Sequence, residues 1–104
     1  DRRLRLLEAL AAYEEALQYR RPETAPLDYA MTQGNLGILH MKFRQLPGED
    51  PRRHFAEAIQ CTWRAYSLFK QIGHAPYEEQ AKGFLAWLRE QDSELFDALW
   101  KEPF

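Results

Sequence analysis

The chain has 104 residues, with 14 Lys and Arg, 16 Asp and Glu, and a formal net charge of -2. Its 45% hydrophobic and 29% charged residues are typical of one globular domain with a modest core, and they exclude a disordered tail. The apolar runs are too short for a membrane span, and the balanced charge excludes a nucleic-acid partner held by phosphate contacts.

The compartment is indicated by two features of the chain. No signal-peptide pattern is visible at its start, and the single cysteine, Cys61, excludes an intrachain disulfide. We therefore expect a reducing, cytoplasmic setting and no membrane partner. Because the chain begins at Asp1, already with a helical pattern, we expect residues 1–104 to form a single helical domain within a longer protein.

Two helices are predicted in the first half of the chain. Apolar residues at three- and four-residue steps predict a helix over 2–20, which Pro22 ends. Pro26, at a first helical position, and Asp28, in the first turn, predict a second helix over 26–43. The second helix has two apolar faces, which indicates a neighbouring helix on each side. These faces consist of Met31, Gly34, Ile38 and Met41, and of Tyr29, Leu36, Leu39 and Phe43.

Three helices are predicted in the second half of the chain. Asp50 followed by Pro51 is typical of a helix start, and Gly73 of a helix end, so a third helix is predicted over 51–72. Pro76 begins a fourth over 76–90, and a short fifth is predicted over 94–101. No segment alternates with period two, so the predicted fold class is all-α with about five helices.

The helices repeat along the chain. Residues 7–10 of the first helix align with residues 56–59 of the third at a spacing of 49, and Ala16 aligns with Ala65. The second and fourth helices align less well, at a spacing of 47 or 48. Self-similarity at such a period indicates stacked antiparallel helix pairs, as in a solenoid.

The repeated residues resemble the tetratricopeptide repeat in its long-period bacterial form, over about residues 4–72. The resemblance rests on Leu36 and Gly37 in the first helix of a pair and on small residues in the second helix. The sequence departs from the family pattern at Gln33, His40 and Thr62. The small residues are Ala9, Ala16, Ala58 and Ala65. The resemblance implies a right-handed α-solenoid, of a kind often found in large multidomain signalling proteins.

The same resemblance implies a function. In this family the first helix of each pair lines a concave groove, so we expect a non-catalytic scaffold module that binds a peptide or a partner helix. The implied groove residues on the second helix are Met31, Asn35, Ile38, Met41 and Lys42. A shift of 47 gives the equivalent residues on the fourth helix, which are Lys82, Leu85 and Arg89. Alternatively, this face packs against another part of the parent chain.

A second hypothesis is a structural segment of a larger regulatory protein whose effector domain lies elsewhere. A repeat array that is open at its ends exposes apolar residues, which favours a homodimer. The candidate residues for that contact are Leu4, Leu7, Phe96 and Trp100.

Candidate residues for chemistry centre on Cys61. His54 shares its helix face, but seven residues rise about 10.5 Å, which is too far for a nucleophile and its base. His40 and His74 remain open as bases from other helices. Glu57 joins His54 and Cys61 on one face, yet these three do not complete a four-ligand site. We therefore expect no enzyme activity, no metal and no cofactor.

Overall fold

A computed structural model describes residues 1–104 and contains five α-helices and no strand. They are α1 (Arg2–Tyr19), α2 (Pro26–Arg44), α3 (Pro51–Ile72), α4 (Ala75–Gln91) and α5 (Ser93–Leu99). The predicted all-α class is confirmed, and each predicted helix matches one observed helix with ends shifted by two residues at most. None of the five combines the length and the apolar character needed to cross a membrane.

Local side chains define the helix ends. The Asp50 carboxylate accepts hydrogen bonds from the backbone N–H groups of Arg52 and Arg53 at the start of α3. Gly73 ends α3 with φ of 84°, in the left-handed region that glycine adopts without a steric cost. The turn there is so short that α4 folds back directly along α3.

The helix pair α2 and α3 forms the centre of the fold and has the most extensive interface. Small residues bring the two backbones together: Ala30, Ala58 and Ala65 are completely buried, and Gly37 faces α3. On one side α4 and α5 pack against α3, and on the other side α1 packs against α2. The central pair therefore separates two regions of the core.

The two core regions have different partners. The larger one joins the central pair to α4 and α5. The smaller one joins α1 to the central pair and includes Cys61. The largest side chains of the first region are Phe55, Ile59, Tyr66, Phe69, Leu85, Leu88 and Phe96. Those of the second region are Leu6, Leu36, Leu39 and Phe43.

At the C-terminal end of the chain, the structure differs from the predicted dimer contact. Phe96 is buried, and Trp100 packs against Trp63 with ring centroids 5.3 Å apart, because α5 folds onto α3 and α4. Phe96 is therefore not exposed, and Trp100 is only partly exposed. Leu4 and Leu7 on α1 are 56% and 45% exposed, as expected.

Substitution of Gly37 by Ala should lower the free energy of unfolding by about 1–3 kcal/mol. A Cβ atom at this position would lie 2.5 Å from Thr62 Oγ1 and 3.3 Å from the Ala58 carbonyl oxygen, so the helices would have to separate. Urea unfolding followed by circular dichroism measures the loss.

Gly83→Ala is the matched control, because Gly83 lies inside α4 and a Cβ there meets nothing within 4 Å. It should stabilise the chain by about 0.5–1 kcal/mol, since glycine is a poor helix former. Equal effects of the two substitutions would contradict the close packing of α2 on α3.

Candidate functional site

An apolar groove runs between α2 and α4, with α3 as its floor. It has a volume of about 320 Å³. Thr62, Ala65 and Phe69 form the floor, and all three are buried. The walls come from Met31, Gly34, Asn35 and Ile38 on α2, and from Tyr77, Gln80, Ala81 and Phe84 on α4. We call this the α2–α4 groove.

The α2 wall contains three of the five α2 residues that the resemblance implied for the groove. Met31, Asn35 and Ile38 line the groove, and Met31 and Ile38 are 39% and 44% exposed. Met41 does not line it, because it is buried in the larger core region. Lys42 is exposed but does not contribute to the groove walls.

The α4 wall differs from the expected one. Leu85 is completely buried in the core, and Lys82 is exposed but does not line the groove. Arg89 forms an ion pair with Asp97, with a nitrogen-to-oxygen distance of 3.2 Å. The four residues of the α4 wall each follow a residue of the α2 wall by 46 positions, from Met31 and Tyr77 onward. The expected shift of 47 is one residue too long, and one residue turns a helix position by about 100°.

The groove has few polar groups. Asn35 and Gln80 are exposed on opposite walls, and neither side chain makes a hydrogen bond within the chain. Their amides can therefore pair with a backbone or side chain that enters from outside. The remaining lining is mainly aliphatic and aromatic, which suits an apolar ligand surface.

A polar network lies on the opposite side of the central pair, beside α1. His54 is almost completely buried, and its Nε2 lies 2.6 Å from Glu49 Oε1. Its Nδ1 lies 3.0 Å from His40 Nδ1. Arg3 donates to Glu49 and to the Pro47 carbonyl oxygen, which ties α1 to the loop before α3.

The contacts of this network fix the position of one proton. The Glu49 carboxylate can only accept, so His54 Nε2–H donates to it. At the second contact, one of the two Nδ1 atoms of His54 and His40 donates to the other. Where His40 Nδ1 is the donor, His40 Nε2 carries a free lone pair.

The network also shifts two pKa values. Burial, reinforced by the neighbouring His54, lowers the pKa of His40. The hydrogen bonds donated by Arg3 and His54 lower the pKa of Glu49. The sequence alone does not reveal this network, because Glu49 lies in the loop before α3 and no helical spacing connects it to His40.

Cys61 lies next to this network and is buried. Burial raises the pKa of its thiol to about 11, so the thiol is protonated at neutral pH, unlike that of a nucleophilic cysteine. Ligand atoms of His40, Glu57 and Cys61 all lie within 4.8 Å of one another. His54, which the sequence placed on the face of Glu57 and Cys61, instead contacts Glu49 and His40.

Comparison with known proteins gives no match: no family model, no curated protein and no solved structure is significantly similar to this chain.

Acidification from about pH 7.5 to about pH 5.5 should lower the free energy of unfolding. The pKa of His40 is lower in the folded chain than its ordinary value of 6.5, so the unfolded chain binds more protons in this range. The contribution of His40 to the free energy of unfolding is complete above pH 6.5. It is lost as the pH falls through the pKa that His40 has in the folded chain. Urea unfolding at a series of pH values measures the slope.

His40→Gln should flatten this slope, because glutamine does not titrate. Glu49→Gln should retain the slope between about pH 7.5 and 5.5, because the lowered pKa of Glu49 acts only near and below its ordinary value of 4.5. A slope that is unchanged in His40→Gln would assign the pH dependence to other residues.

Proposed function

We propose that this chain is a non-catalytic protein-interaction module whose α2–α4 groove binds an apolar segment of a partner protein. The observation that carries the proposal is the exposure of Met31 and Ile38 at the rim of a groove with a buried floor. Single exposed apolar residues are ordinary on protein surfaces. Here they adjoin a concave surface with apolar walls from two helices, which is the shape that a partner helix or peptide fills.

The chemistry of the rim suits such a ligand. Met31 can adapt its flexible side chain to partners of different shape. Asn35 and Gln80, whose amides make no hydrogen bond within the chain, can pair with the polar backbone of a bound peptide. The buried floor keeps the groove in shape before the partner binds, which limits the entropy lost on binding.

The architecture that fits this function is a right-handed α-solenoid of the tetratricopeptide type. The constant step of 46 residues between the α2 and α4 walls supports it, because equivalent helices of a solenoid present equivalent residues to one face. The close contact at Gly37 supports it as well, since the resemblance rests on this glycine. In this arrangement α2 and α4 are first helices, and α1 and α3 are second helices.

The non-catalytic part of the proposal is supported by the position of the one cysteine. Cys61 lies on the side of the central pair that faces away from the groove, and its thiol is protonated at neutral pH. The groove itself offers no acid and base pair within reach of each other. A free buried thiol also agrees with a cytoplasmic location for the module.

Ile38→Glu should weaken binding of groove ligands at least tenfold, because it places a charge among apolar walls at a cost above about 1.4 kcal/mol. Peptides selected from a displayed random library against the original chain provide the ligands. Fluorescence anisotropy then measures their affinity for each variant.

Ile72→Glu is the matched control, since Ile72 is 41% exposed at the end of α3 and does not line the groove. It should leave peptide affinity unchanged. Failure to select any peptide, or equal losses from the two variants, would contradict the groove as a binding site.

A second candidate function, self-association through α1, is favoured by one separate observation. Leu4 and Leu7 are exposed on the outer face of α1, away from the smaller core region. In a longer array this face would contact the preceding helix, and in a separate domain it can contact a second copy.

Leu4→Glu combined with Leu7→Glu should abolish any dimer formed through α1. Sedimentation velocity over a wide concentration range measures the assembly state of the original chain and of the double variant. A monomer at every concentration would exclude self-association and leave the groove proposal untouched.

A further inference from the structure

Three side chains of the kinds that bind transition metals meet on the α1 side of the central pair. His40 comes from α2, and Glu57 and Cys61 lie four residues apart on α3. One ligand atom from each lies within 4.8 Å of those from the other two. We propose that His40, Glu57 and Cys61 form a binding site for a divalent transition-metal ion of the zinc class, with one open position for water.

The distances are close to those of a bound site. Zinc binds nitrogen and oxygen ligands at about 2.0–2.2 Å and thiolate sulfur at about 2.3 Å, so tetrahedral ligands lie about 3.3–3.8 Å apart. A separation of at most 4.8 Å requires closure by up to about 1.5 Å from the longest distance. Glu57 can supply it, because its side chain is only half-buried and takes part in none of the chain's ion pairs.

The second observation that points to a metal is the orientation of His40. Glu49 contacts one ring nitrogen of His54 and His40 Nδ1 contacts the other, so a His40 that donates from Nδ1 carries its lone pair on Nε2. A metal-binding histidine needs that lone pair, and its other ring nitrogen usually donates to a neighbouring group. Phe43 stacks on the His54 ring at 5.2 Å and holds the chain of hydrogen bonds in place.

The charges of the three ligands match a divalent cation. A thiolate and a carboxylate contribute two negative charges and the imidazole contributes none, so the bound site is neutral. Metal binding displaces the proton of the Cys61 thiol. Thiolate, imidazole and carboxylate together favour Zn²⁺, whereas Mg²⁺ and Ca²⁺ require oxygen ligands.

The site joins the two central helices on the side that faces away from the α2–α4 groove. A metal ion bound there would link α2 to α3 and stabilise the pair that forms the groove floor. Cys61 is buried, whereas His40 and Glu57 are half-buried, so the ion and its water reach the site from the side of these two residues. The proposal does not depend on a ligand in the groove.

Titration with Co²⁺ tests the site directly, in the full chain without a histidine tag and with the thiol kept reduced. We expect one Co²⁺ per chain, with a thiolate-to-cobalt charge-transfer band and visible bands of tetrahedral intensity, and displacement by Zn²⁺. Zn²⁺ should also raise the midpoint of thermal unfolding. A chain that shows no charge-transfer band with stoichiometric Co²⁺ would overturn the proposal.

Cys61→Ser should abolish the charge-transfer band, and Glu57→Gln should lower the Zn²⁺ affinity more than about 100-fold, since even supporting residues around a metal contribute 10–100-fold. Glu57→Gln removes no ion pair, so it tests the site even if Cys61→Ser does not fold. Glu79→Gln, on the exposed surface of α4, is the matched control and should bind Zn²⁺ as the original chain does. Equal affinities of the two glutamine variants would exclude Glu57 as a ligand.

Glu49 is a positioning residue in this proposal, because it acts on the metal only through His54 and His40. Glu49→Gln should lower the Zn²⁺ affinity about tenfold while the charge-transfer band of bound Co²⁺ remains. A merely structural role would lower stability without changing the affinity of the folded chain. An unchanged Zn²⁺ affinity in folded Glu49→Gln would show that this hydrogen-bond chain does not orient the ligand.

Discussion

The close approach of α2 and α3 at Gly37 is the contact on which the rest of the structure depends. A Cβ atom at residue 37 would come within 2.5 Å of Thr62 Oγ1 and 3.3 Å of the Ala58 carbonyl oxygen, so glycine lets the two helices pack this closely without a shift of either. Completely buried alanines on either side of it extend the contact along both helices. With no large side chain between the helices, their larger residues must lie to one side or the other, and two distinct surfaces result.

These two surfaces have different chemistry because α3 turns different residues to each of them. Thr62, Ala65 and Phe69 face α4 and form the floor of the apolar groove. On the other side of α3, near α1, Glu57 and Cys61 face His40. There, hydrogen bonds link Arg3 to Glu49, Glu49 to His54 and His54 to His40. The two proposals thus concern different sides of α3: a macromolecular partner for the groove and an ion for the opposite side.

Much of the fold could be predicted because local signals mark the helix ends. Asp50, Pro51 and Gly73 act through backbone geometry and short-range hydrogen bonds, so the bounds of α3 agree with the prediction. The α4 wall of the groove could not be placed correctly, because its position depends on a rotation of α4 that the weak similarity to α2 leaves open by one residue. Leu85 thus lies in the core, and Phe84 lines the groove.

By itself, the sequence determined the number of helices and their ends. These properties follow from periodicity, capping and proline geometry within a few residues of each position. Only the tertiary structure decided that His40 meets Glu57 and Cys61 and that His54 turns to Glu49. Such contacts join residues from different elements, and their geometry depends on how α2, α3 and the loop between them pack, which no local pattern specifies.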